Sequence, residues 1–437
     1  MRASELRKLD TELSAYIDSF TAGMGRPERR RAMGWYLTGL LLDGDRKSIE
    51  PMAARLVDDE SEIQAMRQRL QQCVVVSDWS DDELRARLGR KLDGELPGVE
   101  AFVIDDTGFP KKGKYSVGVQ RQYSGTLGRQ DNCQVATSLH LASEAGSGCI
   151  ALRLYLPESW AGDKARRRTA GVPKEVVFLR KWEIALRQLD DALLWGVRKH
   201  AVVADAGYGD CLEFREGLMQ RGLSYVLGIN GTHLIWPPGS KPQPPTRKPG
   251  QGGTAPTKYV DGTKKPVAIT TLIENIPRSE YKTVAWREGS RGRQTSKFLA
   301  LRVRTGAHHH YGKAPSEEQW LLCNWLEGMD APRLWLSNLP ASTPIKRLVQ
   351  LAKLRWRVER DYQEMKQELG LDHFEGRTWR GFHHHATLCA IAHAFLALRR
   401  ALSPPIPNAM DAADGPAPPP IHLAAADRNL SALSSAH

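Results

Sequence analysis

Two apolar runs in this 437-residue chain end in acid. "FVIDD" closes on Asp105 and Asp106, and "VVADAGYGD" places Asp205 before a glycine-containing turn. Short apolar runs of this kind read as buried strands, and acids at strand ends in α/β proteins often face the crevice used for ligands. The plainer reading is turn chemistry, because Asp is favoured in turns and at helix N-caps. Asp210 fits that role, as a cap for a helix starting near Cys211. If the strands of Asp106 and Asp205 are neighbours, their carboxylates converge, and such a pair needs a cation or a proton between them.

A third acid comes from "KLRWRVERDYQEMKQELGL", residues 353–371. At about 100° per residue, Leu354, Val358, Tyr362, Met365 and Leu369 form one apolar stripe of an amphipathic helix. Glu364 and Glu368 fall toward solvent. Glu359 sits beside the stripe, in line with Arg355 and Lys366, and Asp361 at the opposite edge is its rival. An i,i+4 ion pair would account for Glu359 by itself. Joined to the two aspartates it instead completes three hard oxygen ligands, a set that suits Mg²⁺ or Mn²⁺ and two-metal phosphoryl transfer.

The whole chain is compatible with that chemistry. Its formal charge of +12 and pI near 9.4 favour polyanionic partners such as nucleic acid. Six scattered cysteines without a CxxC pair read as buried thiols in a reducing compartment, neither a disulfide frame nor a zinc site. No run of about eighteen apolar residues and no signal-peptide core occurs, so a cytoplasmic protein without a membrane partner is expected.

The elements that must position the acids follow from pattern. Residues 1–95 read as helices, the last opened by Ser/Asp capping in "SDWSDDELRARLGRKL". Residues 96–230 alternate strands with helices, including one helix over about 174–197. Residues 231–330 are β-rich after the Pro/Gly-rich segment 236–258, which is no regular element; "KPVAITTLI" reads there as a strand. Residues 331–402 carry a helix from about Thr343 through the Glu359 stretch, then "FHHHATLCAIAHAFLALRRAL" as another. The Pro/Ala-rich tail 403–437 is expected to be disordered. The fold class is therefore α/β: a mixed sheet flanked by helices, interrupted by a β-rich insertion, behind a helical N-terminal domain.

Together "IDDTGFPKKGK", "VVADAGYGD" and "RWRVERDYQEMKQELGLDHFEGR" resemble the bacterial insertion-sequence transposases of the DDE type, over about residues 30–400. The resemblance implies a ribonuclease-H-like catalytic core with the insertion before the final Glu. It implies metal-dependent cleavage at transposon ends, and strand transfer of the 3′-OH into target DNA. Asp106, Asp205 and Glu359 would be the catalytic and metal-binding triad, holding two Mg²⁺ ions for which Mn²⁺ can substitute. Asp105 is the alternative at the first position. In the branch's helix signature Arg355, Glu359 and Lys366 match, whereas the Tyr position is Ala352. Arg355 and Lys366 would then hold phosphates. Partners are double-stranded DNA and a second copy of the chain, as a homodimer on DNA. A domesticated DNA-binding protein that does not cleave, and a nuclease that cuts without joining, are the rival functions.

Further DNA contacts are expected from "WREGSRGRQTSKF", where Trp286 stands among Arg291 and Arg293 as an aromatic among cations, and from Lys111 and Lys112 in "PKKGK". Arg29, Arg30 and Arg31 mark the N-terminal helices for end recognition or dimerisation. The histidine runs 308–310 and 383–385 read as surface or DNA-facing.

Overall fold

The computed structural model describes residues 3–244, 258–262, 264–289, 292–306, 315–325 and 328–402. The tail from 403, most of the Pro/Gly-rich segment, Arg291 and the histidines at 308–310 lie outside the described residues. The chain divides into two compact units. The first holds the described residues of Met1–Gly98, Asp106–Arg198 and Arg357–His437; the second holds Val99–Asp105 and Lys199–Trp356.

Helices α1 (Ala3–Thr21), α2 (Pro27–Leu41), α3 (Ile49–Leu56), α4 (Ile63–Gln71) and α5 (Asp81–Glu95) open the first unit. Ser80 caps α5 as expected, its hydroxyl accepting the Glu83 N–H at 3.2 Å. Strand β1 (Ala101–Pro110) begins in the second unit and enters the first at Asp106. Strands β2 (Gln120–Ser124), β3 (Arg129–Ala142) and β4 (Ser147–Leu154) follow as an antiparallel meander. Short helices α6 (Glu158–Ala161) and α7 (Lys164–Thr169) then lead to α8 (Lys181–Leu194).

The second unit continues with β5 (Ala201–Ala204), α9 (Ala206–Gly209), α10 (Leu212–Gln220) and β6 (Tyr225–Ile229). Next come β7 (Leu234–Trp236), β8 (Val267–Ala268), α11 (Ile269–Glu274), β9 (Lys282–Gly289) and β10 (Gly292–Thr305). It closes with β11 (Gln319–Asn324), β12 (Arg333–Ser337) and α12 (Ile345–Leu354). Its sheet is mixed: β1, β5 and β6 run parallel, while β6, β12, β11 and β10 pair antiparallel. Val202, Val203 and the first four residues of β1 are buried, as their unbroken apolar runs require of strands covered on both faces. Strands β7–β11 fall within 231–330 and join this sheet through β12.

Helices α13 (Trp356–Gln367) and α14 (Trp379–Leu402) bring the chain back to the first unit. Helix α14 is buried from Trp379 to Leu398 almost without interruption, and it packs against β4, α5 and α2. It carries no polar stripe, the mark of a helix enclosed on all sides. The expected mixed α/β architecture with a helical N-terminal region is present.

Several local expectations are corrected. The "FVIDD" aspartates lie inside β1, which runs on through buried Thr107 and Phe109. The helix expected over 174–197 begins at Lys181, because Glu183 reaches back to accept the Arg180 N–H at 2.7 Å and so fixes the start there. "ITTLIE" is helix α11, leaving only two residues of strand before it. Asp210 does not cap α10, whose N-cap is Cys211; its carboxylate accepts the Asn230 N–H at 2.9 Å and lies 2.9 Å from His233 Nε2. The single helix read from Thr343 is two, α12 and α13, meeting at Arg355.

The histidines 383–385 face neither solvent nor DNA. All three are buried in α14. His384 stacks on Trp79 with ring centroids 3.6 Å apart. His385 sits 2.8 Å from the Tyr36 hydroxyl and 3.0 Å from the Gly370 carbonyl. Burial pushes its pKa down to about 4, so the ring is neutral near pH 7, donating to Gly370 and accepting from Tyr36.

Glu364 is the largest departure from the helical wheel, for it is only 6% exposed. Arg400 of α14 binds both its oxygens, at 2.6 and 2.5 Å. His393 approaches to 3.1 Å and Arg360 to 3.0 Å. Burial alone would raise its pKa, but Arg400 and His393 hold it far below the usual carboxylate range. One residue turn away, Asp361 is 3% exposed and 2.6 Å from both His140 Nδ1 and the Ser147 hydroxyl. A wheel built from one helix sees none of these partners. Truncating one member of such a buried set strands the others, at a cost of about 3 kcal/mol. Glu364→Ala should lower the unfolding free energy by that order in urea denaturation, and an unchanged midpoint would show the cluster carries no stability.

Candidate active site

The site residues are best built from β1. Successive side chains of an extended strand point to opposite faces, so Asp105 and Asp106 have separate environments. Asp105 Oδ2 pairs with Arg355 Nη1 at 2.7 Å, within the second unit. Asp106, in the first unit, receives the Lys181 ammonium on Oδ2 at 2.8 Å and the Thr137 hydroxyl on Oδ1 at 3.1 Å. Lys181 is the first residue of α8, so the capping that starts this helix also delivers its ammonium to the Asp106 carboxylate. Lys181 was not singled out in the sequence, because its role depends on a long-range contact.

Asp205 follows β5 directly, at the strand end expected, and occupies the N-cap position of α9 without making a cap bond. Two glycines make its turn possible. A Cβ on Gly209 would stand 1.8 Å from the Gly228 carbonyl, and one on Gly228 would meet the Ala206 nitrogen at 3.0 Å. The turn therefore lies directly on β6, an approach only glycine permits. Asp205 Oδ1 is buried and has no hydrogen-bond partner among the described residues. A buried carboxylate oxygen left so is costly and calls for an explanation, an ion being one.

Glu359 stands in the first turn of α13 and is exposed, in contrast to Asp361 and Glu364 on the same helix. Lys366, also on α13, donates to the Gly108 carbonyl at 2.9 Å and lies 5.2 Å from the Phe109 ring centre. Burial lowers its pKa. Arg355 at the α12–α13 junction is held by Asp105, as above. Ala352, where the helix signature has Tyr, is buried in α12.

Trp286 of β9 is half-buried, edge-on to Phe298 at 5.9 Å and under the Lys353 ammonium at 4.9 Å. Arg293 and Lys112 are exposed, whereas Lys111 is half-buried and donates to the Phe374 carbonyl at 3.0 Å. Among the described residues no group of three or more His, Cys, Asp or Glu side chains is gathered so as to hold a metal ion, and no helix is long and apolar enough to cross a membrane.

Comparison with known proteins places the chain in a family. The family model of the DDE superfamily endonucleases matches residues 19–293, a span that contains Asp106 and Asp205 and stops before Glu359. The chain belongs to that family. It is 27% identical over 201 residues to the probable transposase for insertion sequence element IS701 of Microchaete diplosiphon, covering 45% of this chain and 48% of that protein. The chain thus matches about half the length of this curated relative. A solved structure of the piggyBac transposase synaptic complex with hairpin DNA superposes with a TM-score of 0.36 at 10% identity, over 88% of this chain and 74% of the other.

The Asp105–Arg355 pair is largely shielded, with side chains 14% and 30% exposed. It should behave as a structural bond: a double-mutant cycle of Asp105→Ala and Arg355→Ala in urea unfolding should return a coupling of about 1 kcal/mol. Strict additivity would show that the two residues do not depend on each other.

Proposed function

We propose that this chain is a DNA transposase, cutting at the ends of a mobile element and joining the freed 3′-OH to target DNA. The observation that carries the reading is Asp205: a strand-end carboxylate with a buried oxygen lacking a partner among the described residues, inside the segment matched by the endonuclease family model. Asp106, Asp205 and Glu359 are oxygen donors of the kind that hard divalent cations take. They would hold Mg²⁺, as two ions, with Mn²⁺ as substitute. When bound, the metal supplies positive charge that activates the attacking oxygen and steadies the leaving one.

The chain's own residues do the remaining work. Asp106 is aimed by Thr137 and Lys181, and Glu359 is presented to solvent by a helix anchored through its buried acids. Lys112, Arg293 and Arg291 are suited to the DNA backbone. Arg355, Lys366, Lys111 and Trp286 would reach DNA from positions already braced by protein partners. Water is the nucleophile for cleavage and the 3′-OH for strand transfer, without a covalent protein–DNA intermediate. Double-stranded DNA is the substrate, two ends require two copies of the chain, and the site of action is the cytoplasm.

End-bearing supercoiled DNA incubated with Mg²⁺ tests the reading, with wild type set beside Glu359→Gln. The wild type should nick and join and the variant should do neither. Equal cleavage by both would sink the assignment of Glu359; binding without cleavage by either would identify a non-cleaving DNA-binding protein; cutting without joined products would identify a plain nuclease. Lys181→Met provides a separate check on Asp106. Removing the cation from that carboxylate should tighten Mn²⁺ binding in isothermal titration, and unchanged binding would take Asp106 out of the metal site.

A further inference from the structure

A cavity of about 310 Å³ opens in the first unit where three segments meet, around residue 46, residues 111–116 and residues 372–377. Its walls are fastened to one another. The Val117 N–H donates to the Arg377 carbonyl at 3.2 Å, Lys111 to the Phe374 carbonyl at 3.0 Å, and the Lys47 N–H to His373 Nδ1 at 3.0 Å. Arg46, Lys111, Lys112 and Arg377 face it, against the carboxylates Asp372 and Glu375. Glu375 is already paired with Arg46, so the lining keeps an excess of positive charge.

Tyr115 also lines this cavity and is 63% exposed, although a large aromatic ring is usually covered. The Lys114 ammonium and the Arg377 guanidinium stand 5.6 and 5.4 Å from its ring centre. An exposed aromatic ring attended by mobile surface cations is an arrangement that can stack an unpaired base while the cations hold its phosphates. The cavity lies at the small end of the ~300–1,000 Å³ range of ligand pockets. That is room for a single nucleotide and not for a duplex.

We propose that this pocket binds one unpaired nucleotide of a DNA strand, the base stacked on Tyr115 and the adjoining phosphates held by Lys112, Lys114 and Arg377. The proposal rests on the reading of the chain as a DNA-cutting enzyme and gives that reading a second contact point. Lys111 directly follows β1 and is five residues beyond Asp106, at most about 17 Å at ~3.3 Å per residue. Stacked nucleotides rise ~3.4 Å each, so about five would cover that distance. The pocket would thus grip DNA locally unpaired a few nucleotides from the cut.

The test uses the full chain and two DNA probes: a duplex with a short single-stranded tail containing 2-aminopurine, and the blunt duplex of the same sequence. Wild type should quench the 2-aminopurine on binding the tail. Tyr115→Ala should lose the quenching and about tenfold in tail affinity, the worth of one base–aromatic stack, while binding the blunt duplex unchanged. Tyr115→Phe should retain both. Because Tyr115 is exposed, its removal leaves the core intact. If Tyr115→Ala binds and quenches the tail as wild type does while DNA is still cut, the pocket is refuted and the transposase reading survives. If wild type binds neither probe, both fall.

Discussion

A carboxylate is tolerated inside a protein only when charge or hydrogen bonds replace its water, and α13 buries two. Asp361 is satisfied from the strands, by His140 of β3 and Ser147 of β4, and Glu364 from α14, by His393 and Arg400. His393 lies 3.8 Å from Asp361 and 3.1 Å from Glu364, bridging the two. These partners come from the strands and from α14, so α13 has one rotation and one depth at which both acids are met. Glu359 is consequently left on the open face. The exposure of the one acid follows from the burial of the other two.

The aspartates obey backbone constraints of a different kind. The pleat of β1 sends Asp105 and Asp106 to opposite faces, which gives them an arginine and a lysine partner respectively. The turn after β5 can rest on β6 only because residues 209 and 228 lack side chains. In each case the carboxylate is aimed by rigid backbone and not by a flexible loop, as a site demanding fixed geometry requires.

The formal charge of +12 is the excess of 62 Lys and Arg over 50 Asp and Glu, so each ion pair inside the fold leaves that excess unchanged. Arg355, Lys181 and Arg400 neutralise acids within the fold, and Lys366 is spent on a backbone carbonyl. Exposed positive charge includes Lys112, Lys114 and Arg377, beside the exposed ring of Tyr115.

Much of this was legible in the linear order of residues. Apolar runs marked β1, β5 and β6; Ser/Asp capping chemistry marked the start of α5; "FHHHATLCAIAHAFLALRRAL" marked a helix; and Asp205 was expected at its strand end, where it is found. These are local facts, set by propensity, capping and the periodicity of one element. Which of the three acids of α13 faces solvent was not legible, because the wheel contains no His140, His393 or Arg400. Nor was the burial of His383–His385, the continuation of β1 past Asp106, or the lysine resting on that carboxylate. Each depends on residues distant in sequence, and a charged side chain reads the same in sequence whether water or a buried counter-ion meets it. The sequence by itself determined most of the elements and which acids were candidates; tertiary structure alone decided which of those acids are compensated inside the fold and which are left exposed.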